Sequence, residues 1–258
     1  MNVRVRAWLA QWGPMLPLLL AEGVLWVGFG ALLPILSIYF VEHGVDLPML
    51  GVVVAAWPAA RVVSEPAFGW LADRVSRRLM MIIGLLASAV FAVMPLFLLG
   101  PAAFIAARLL AGLAAAMYDP AARGYIVDAN PPEKRGEAFG LYNAAQMAGF
   151  MLGPAVGGIT VAIVGDPTIV FWVAGVSLVA SALLVALRVP ELGHARESVK
   201  AAVAVEPDDG AIPVEARPSR LLNSLLIAGL ALNVGAYFAS GTYEVIWSLY
   251  LTSLGASV

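Results

Sequence analysis

Apolar residues fill most of this chain in long continuous runs, and short polar segments separate the runs. The runs are too long for single strands and do not alternate between apolar and polar positions, which argues against a β-barrel. A hydrocarbon core of about 30 Å is crossed by about 20 helical residues. By that length the sequence predicts seven transmembrane helices, over residues 15–39, 47–71, 79–99, 102–117, 138–164, 169–187 and 221–251.

The composition agrees with an all-α membrane protein, since 61% of the 258 residues are hydrophobic and 12% are charged. A soluble domain has too little polar surface to cover that much apolar area. The chain has no cysteine, and therefore no disulfide or thiolate metal site. It shows no basic stripe for nucleic acid, no phosphate-binding loop and no nucleophile–base pattern. We therefore expect no cofactor, no metal, no nucleic-acid partner and no enzymatic activity.

The basic residues predict the orientation in the membrane. Arg61 and Arg108 lie within predicted spans, which leaves 13 of the 15 Lys and Arg residues. All 13 fall before the first helix or between helices 2 and 3, 4 and 5, or 6 and 7, and the alternate connections hold none. By the positive-inside rule the N-terminus is cytoplasmic, in a multi-pass protein of the cell inner (plasma) membrane.

The order of the helices predicts three parts. Residues 1–189 form a six-helix bundle, and residues 190–220, with four prolines and scattered acids, read as a cytoplasmic linker. Residues 221–258 would be the first helix of an incomplete second bundle. The seventh helix repeats the first at a constant offset of 211, through the pairs Gly30/Gly241, Ser37/Ser248, Tyr39/Tyr250 and Gly44/Gly255. We expect the chain to be the truncated N-terminal portion of a two-bundle protein.

Three motifs resemble the major facilitator superfamily of secondary transporters. Residues 69–78, GWLADRVSRR, resemble its G-x-x-x-D-R-x-G-R-R loop, with Ser76 in place of the usual glycine. Residues 108–112, RLLAG, resemble its membrane-embedded arginine motif. The fifth predicted helix fits G-x8-G-x3-G-P-x2-G, a pattern typical of the family's antiporters and especially of drug/proton exporters, at Gly140, Gly149, Gly153, Pro154 and Gly157.

The helix 5 motif also has a direct physical interpretation. Gly149, Gly153 and Gly157 recur every four residues and would make a flat stripe for close helix packing. Pro154 removes a backbone hydrogen bond and can bend the helix. Ordinary helix packing explains the glycine stripe but not the whole pattern, so antiporter-type gating is the favoured interpretation.

The resemblance implies two six-helix bundles around a central cavity, with rocker-type alternating access. It also implies a small-molecule substrate and protons as partners, and a monomer at full length within the lipid bilayer. In the loop motif of Gly69, Asp73, Arg74, Arg77 and Arg78, the family's arginines pair with acids near the cytoplasmic end of helix 4. Asp128 is the best match here, so Asp73, Arg77 and Asp128 would form a latch that favours the outward-open state. The alternative is a set of topology-determining arginines beside a solvated aspartate.

Single charged residues within the predicted spans indicate a function, because inserting a buried ionisable group into the membrane costs at least about 2.5–3.5 kcal/mol. Glu22, Arg108 and Glu244 fall on helices 1, 4 and 7, which line the cavity in the family. Arg61 and Glu65, four residues apart, are expected to pair with each other. The polar residues Asn143 and Gln146 share a face of helix 5 and would contact either the substrate or a neighbouring helix.

The favoured function is a proton-coupled efflux antiporter in which Glu22 is the coupling group, with Glu244 as the second candidate. One alternative is a proton symporter that imports a sugar or another metabolite, which the helix 5 motif disfavours. The other is a non-transporting membrane receptor or scaffold. Such a protein would gain nothing from the intramembrane charges Glu22, Arg108 and Glu244.

Overall fold

The computed structural model describes residues 11–192 and 224–255, and this part of the chain is helical throughout, without strands. The expected all-α fold is therefore confirmed. Short 3-10 turns at Gly13–Met15, Met94–Phe97 and Pro132–Lys134 extend three of the helices. The described α-helices are α1 (Leu16–Glu42), α2 (Leu47–Ala72), α3 (Arg77–Val93), α4 (Pro101–Ala129), α5 (Arg135–Val164), α6 (Ile169–Arg188) and α7 (Ser224–Ser253).

Helices α1 to α6, together with their 3-10 turns, are each long and apolar enough to cross a membrane. They overlap the first six predicted spans, in the same order. The seventh predicted span coincides with α7, which is 30 residues long. Residues 193–223, which include most of the predicted linker, lie outside the described residues.

The fourth helix is longer than predicted, and its expected end at residue 117 is wrong. It continues through Pro120 to Ala129, so that Asp119, Arg123 and Asp128 are helical residues rather than loop residues. A proline removes only one backbone hydrogen bond, and a membrane helix tolerates it where neighbouring helices pack around it. Here α4 packs along both α2 and α3.

The third helix also differs from its prediction of residues 79–99. The α-helix begins at Arg77, where Ser76 caps it, and ends at Val93. It then tightens into a 3-10 turn that contains Pro95. The backbone nitrogen of Pro95 carries no hydrogen and cannot donate the next helical hydrogen bond, which accounts for the change of geometry at this point.

Two layers of buried side chains hold the six helices together. Helix α1 packs against α5 and α6, while α4 packs against α2 and α3, and α3 joins the two groups by packing on α6. One buried cluster includes Trp12, Met81, Ile126 and Val185. It lies at the end of the bundle that carries the connections 73–76 and 130–134, called here the arginine-rich end. A second cluster lies at the opposite end, around Phe40, Leu50, Phe104 and Phe171.

The connections at the opposite end are tight turns. Gly165 ends α5 with φ +78°, a left-handed conformation that favours glycine. Asp166 then accepts hydrogen bonds from the backbone N–H and the hydroxyl of Thr168, both at 2.8 Å. These hydrogen bonds hold the pKa of Asp166 below its usual range.

Candidate functional site

The carboxyl group of Glu22 is buried in the middle of the helix bundle, with 1% of the residue exposed. The indole Nε1 of Trp26, one turn along α1, donates a hydrogen bond to Oε1 at 2.8 Å. The hydroxyl of Tyr118 on α4 donates to Oε2 at 2.7 Å. Tyr142 of α5 is also buried and interacts with the same carboxyl group. The described hydrogen-bond partners of Glu22 are therefore neutral, and they come from three helices.

A cluster of ion pairs begins at Asp119, the residue that follows Tyr118 on α4. Asp119 forms an ion pair with Arg61 of α2, and Arg61 also pairs with Glu65 at 2.7 Å. The guanidinium of Arg61 lies over the ring of Trp57, 4.7 Å from its centroid. The expected pairing of Arg61 with Glu65 is thus present. Asp119 as a second partner of Arg61 was not predicted from the sequence.

Arg108 occupies the other half of α4 and is 6% exposed. Its Nη2 lies 3.5 Å from the carbonyl oxygen of Val54, and its guanidinium is 5.6 Å from the ring centroid of Trp57. Gly112, one turn away, allows α4 to approach α2, because a Cβ there would lie 2.8 Å from the Cβ of Ala60. Ten residues separate Arg108 from Tyr118, or about 15 Å along the helix. Arg108 therefore leaves α4 nearly three turns away from Tyr118, the residue of this helix that hydrogen-bonds Glu22.

A cavity of about 100 Å³ lies between α1, α2, α3, α4 and α6. Helix α4 presents residues to it at helical spacing, with Arg108 at one end and Tyr118 and Asp119 at the other. Three aromatic rings of the lining are in contact with one another, Trp26 with Phe29 at 5.0 Å and Phe29 with Trp57 at 5.4 Å between ring centroids. Trp26 and Tyr118, which donate hydrogen bonds to Glu22, thus line a largely apolar cavity.

Asp73, Arg77 and Asp128 come together at the arginine-rich end. Arg77 Nη2 lies 3.4 Å from Asp73 Oδ1, and Arg77 Nε lies 3.2 Å from Asp128 Oδ2. The side chain of Arg77 lies directly against Gly124, one turn before Asp128 on α4. This arrangement joins the α2–α3 turn to the last turns of α4.

The other residues of the loop motif have different contacts. Ser76 caps α3 by accepting a hydrogen bond from the Leu79 N–H at 3.2 Å, and its φ of −54° does not need glycine. Arg74 is exposed, stacks 3.6 Å from the ring centroid of Trp70 and donates to the carbonyl of that residue. Arg78 donates to the carbonyl of Ala186, in the last turn of α6. A Cβ atom at Gly69 would have one neighbour within 4 Å, the Cβ atom of Pro120 at 3.9 Å.

The glycines of the helix 5 motif pack α5 against α1. A Cβ at Gly153 would lie 2.5 Å from the Cα of Gly30, and one at Gly157 would lie 2.9 Å from the carbonyl oxygen of Ala31. Gly149 meets the backbone of α1 in the same way, beside Gly23. Gly140 faces open space, and Pro154 is exposed. The close-packed stripe is therefore present, and gating by this motif stays a prediction.

The remaining predicted site residues lie away from the cavity or beyond the described side chains. Asn143 is exposed and Gln146 is half-buried on α5, and neither lines the cavity. Glu244 lies on α7, but its side chain is outside the described part of the structure. The groups that sequence reasoning missed are Tyr118 and Tyr142 as neighbours of Glu22, and Asp119 as a partner of Arg61.

The family model described as the Major Facilitator Superfamily matches residues 18–258 of this chain. Among curated proteins, Quinolone resistance protein NorA of Staphylococcus aureus (strain MRSA252) is 31% identical over 137 residues, covering 52% of this chain and 35% of the relative. Multidrug resistance protein 2 of Bacillus subtilis (strain 168) is 32% identical over 138 residues, covering 52% and 34%. The chain therefore spans about a third of the length of these relatives.

Solved structures show the same fold at low sequence identity. The human organic anion transporter MFSD10 (TETRAN) has a TM-score of 0.58 and 21% identity, over 69% of this chain and 48% of that one. A bacterial homologue of the human lysosomal transporter Spinster, in an inward-facing and occupied conformation, has a TM-score of 0.60 and 16% identity, over 74% and 46%. At these identities the likeness concerns the fold alone.

Proposed function

The chain belongs to the Major Facilitator Superfamily, and on that premise we propose that it acts in proton-coupled efflux of a small molecule by alternating access. Efflux is supported by the relatives, whose names refer to quinolone resistance and to multidrug resistance. The helix 5 motif, which resembles that of drug/proton exporters, favours the same direction over import.

The observation that carries this proposal is the buried carboxyl group of Glu22. A proton-coupled carrier needs a group inside the membrane that exists in both a charged and a neutral form. Trp26 and Tyr118 donate hydrogen bonds to its two oxygens, which stabilises the ionised form. A tyrosine hydroxyl can also accept a hydrogen bond, so Tyr118 is able to serve the protonated form. Trp26 and Tyr118 can therefore hydrogen-bond both the ionised and the protonated form of Glu22.

The second element of the proposal is the latch at the arginine-rich end. Arg77 bridges Asp73 and Asp128, which links the α2–α3 turn to α4 by charge pairs. We propose that this latch is closed in the outward-open state and opens when the cavity faces the cytoplasm. The contact is partly buried, so its charges are screened less than those of surface pairs.

Orientation and domain arrangement complete the proposal. The arginine-rich end faces the cytoplasm, because the basic residues outside the spans gather there. Residues 1–189 form one bundle of a multi-pass inner-membrane protein, and residues 221–258 begin a second bundle after the linker at 190–220. Glu244 on the first helix of that second bundle is the alternative coupling group. The full-length transporter acts as a monomer.

The test is substrate-induced proton release from energised everted vesicles that contain the full-length protein, with a panel of quinolones as the compounds. We expect release with the wild-type protein and none with Glu22→Gln at the same level of insertion. Glu42→Gln is the matched control, since it is the same change at an exposed position of the same helix. Coupling that persists in Glu22→Gln would assign the role elsewhere, and a wild-type protein that moves none of the compounds would contradict efflux of this class.

A further inference from the structure

The Arg61–Asp119 ion pair adjoins the Glu22 site, and the sequence motifs give it no role. We propose that this pair sets the pH at which Glu22 exchanges its proton. The inference rests on the proposed function in one respect, that Glu22 is the coupling group. It assigns Asp119 and Arg61 as positioning residues for that reaction.

The geometry connects the two clusters through consecutive residues of one helix. Tyr118 holds Oε2 of Glu22 at 2.7 Å, and the next residue, Asp119, holds the guanidinium of Arg61. Asp119 lines the same cavity as Tyr118 and Trp26, the two residues that donate hydrogen bonds to Glu22. The side chains of Asp119 and Arg61 are each 19% exposed. Water and salt therefore screen this interaction much less than they would at the surface.

The described neighbours of Glu22 on α1 and α5 are uncharged, and α6 and α3 also place uncharged groups in this part of the bundle. Helix α1 contributes the indole of Trp26, and α5 contributes the neutral hydroxyl of Tyr142. From α6, the hydroxyl of Ser181 donates to the carbonyl of Ala21. From α3, the buried residues are apolar, as at Met81 and Leu85. The charged groups that interact with Asp119 are Arg61 and Glu65 of α2 and Arg123 of α4.

The two partners act on Glu22 with opposite signs. The negative charge of Asp119 disfavours a second negative charge at Glu22, and so favours the protonated form. The positive charge of Arg61 favours the ionised form. While the pair is intact the two effects partly cancel, which leaves Glu22 able to exchange its proton. When one partner is removed, the charge of the other acts on Glu22 alone. The two single substitutions must therefore shift the midpoint pH of Glu22 protonation in opposite directions.

The experiment is a pH titration by infrared difference spectroscopy on the full-length protein in liposomes. The carboxyl C=O band that disappears in Glu22→Gln reports protonation of Glu22. We expect Asp119→Asn to lower the midpoint of this band by about one pH unit, and Arg61→Gln to raise it by a similar amount. The double variant should return toward the wild-type midpoint. Glu65→Gln, at a more exposed member of the cluster, should shift the midpoint less.

Midpoint shifts of opposite sign would support the inference. Unchanged midpoints, or shifts in the same direction, would overturn it, because the effect of a structural defect does not depend on the sign of the charge that is removed. If a single variant fails to fold, the exchanged pair Arg61→Asp with Asp119→Arg keeps both charges and places the positive one beside Glu22. Its midpoint should lie below that of the wild type, and a higher or unchanged midpoint would also overturn the inference. The proposed function is tested separately. It is contradicted if Glu22→Gln still shows substrate-induced proton release in vesicles, even when the spectroscopic midpoints shift as expected.

Discussion

The guanidinium of Arg77 occupies the space that a Cβ atom at position 124 would fill, so that Gly124 and Arg77 fit together where α3 meets α4. The ion pair between Arg77 and Asp128, at 3.2 Å, depends on this fit. Gly124 lies outside the loop motif, yet it determines whether the arginine of that motif can reach its acid. The glycine is thus part of the latch.

The first prediction is that Gly124→Ala weakens the latch. The flexible Arg77 side chain can move away from a new methyl group, so the main cost is the lost ion pair with Asp128. Because any Gly→Ala change also gains helix propensity, we expect Gly124→Ala to be less stable than the control Gly→Ala variant by about 1 kcal/mol, measured by unfolding in detergent. If the loss arises from the ion pair, Gly124→Ala should have little further effect in an Asp128→Asn background. Gly136→Ala, where a Cβ would have no neighbour within 4 Å, is the control.

The second prediction separates two arginines of the same motif. Arg78 donates to the carbonyl of Ala186 in the last turn of α6, where carbonyl groups lack helical partners and a positive charge is favoured. We expect Arg78→Gln to destabilise the bundle by about 1.5–3 kcal/mol. Arg74→Gln, at an exposed side chain, should change stability by less than about 0.5 kcal/mol. Equal effects of the two substitutions on thermal unfolding would contradict this assignment.

The helices could be predicted from the sequence because each apolar run is as long as a membrane is thick. The end of α4 could not be found this way, since Asp119, Pro120 and Arg123 resemble a loop when only hydropathy is considered. A periodicity signal was nevertheless present. Residues 118, 121, 122, 125 and 126 are all buried and recur at the spacing of one helix face.

The candidate site was predictable only in part, for a reason of distance along the chain. Glu22 was found because a carboxylate in an apolar helix is costly and so needs a function. Its partner Tyr118 is 96 residues away, and Arg61 is 58 residues from Asp119. Such pairs depend on how α1, α2 and α4 pack together, which no local pattern records. The glycines of α5 predicted close packing correctly but did not identify α1 as the partner.

The third prediction concerns the contact between α1 and α5. A Cβ at Gly153 would lie 2.5 Å from the Cα of Gly30, and the neighbour is backbone that cannot rotate away. We expect Gly153→Ala to cost about 1–3 kcal/mol in stability, because the helices must separate. Gly158→Ala on the same helix has no neighbour within 4 Å and should be neutral or slightly stabilising. The comparison requires thermal unfolding of both variants in the same detergent.

The last prediction tests the orientation, and it follows from the distribution of charge between the two ends of the bundle. The chain has no cysteine, so single cysteines can be placed at will. Pro167 is exposed at the end without basic residues, and Pro167→Cys leaves the Asp166–Thr168 hydrogen bonds in place. Glu133 is exposed at the arginine-rich end. A membrane-impermeant thiol reagent should label Pro167→Cys in intact cells and label Glu133→Cys only after permeabilisation. The reverse pattern would place the arginine-rich end outside and would invalidate the proposed role of the latch.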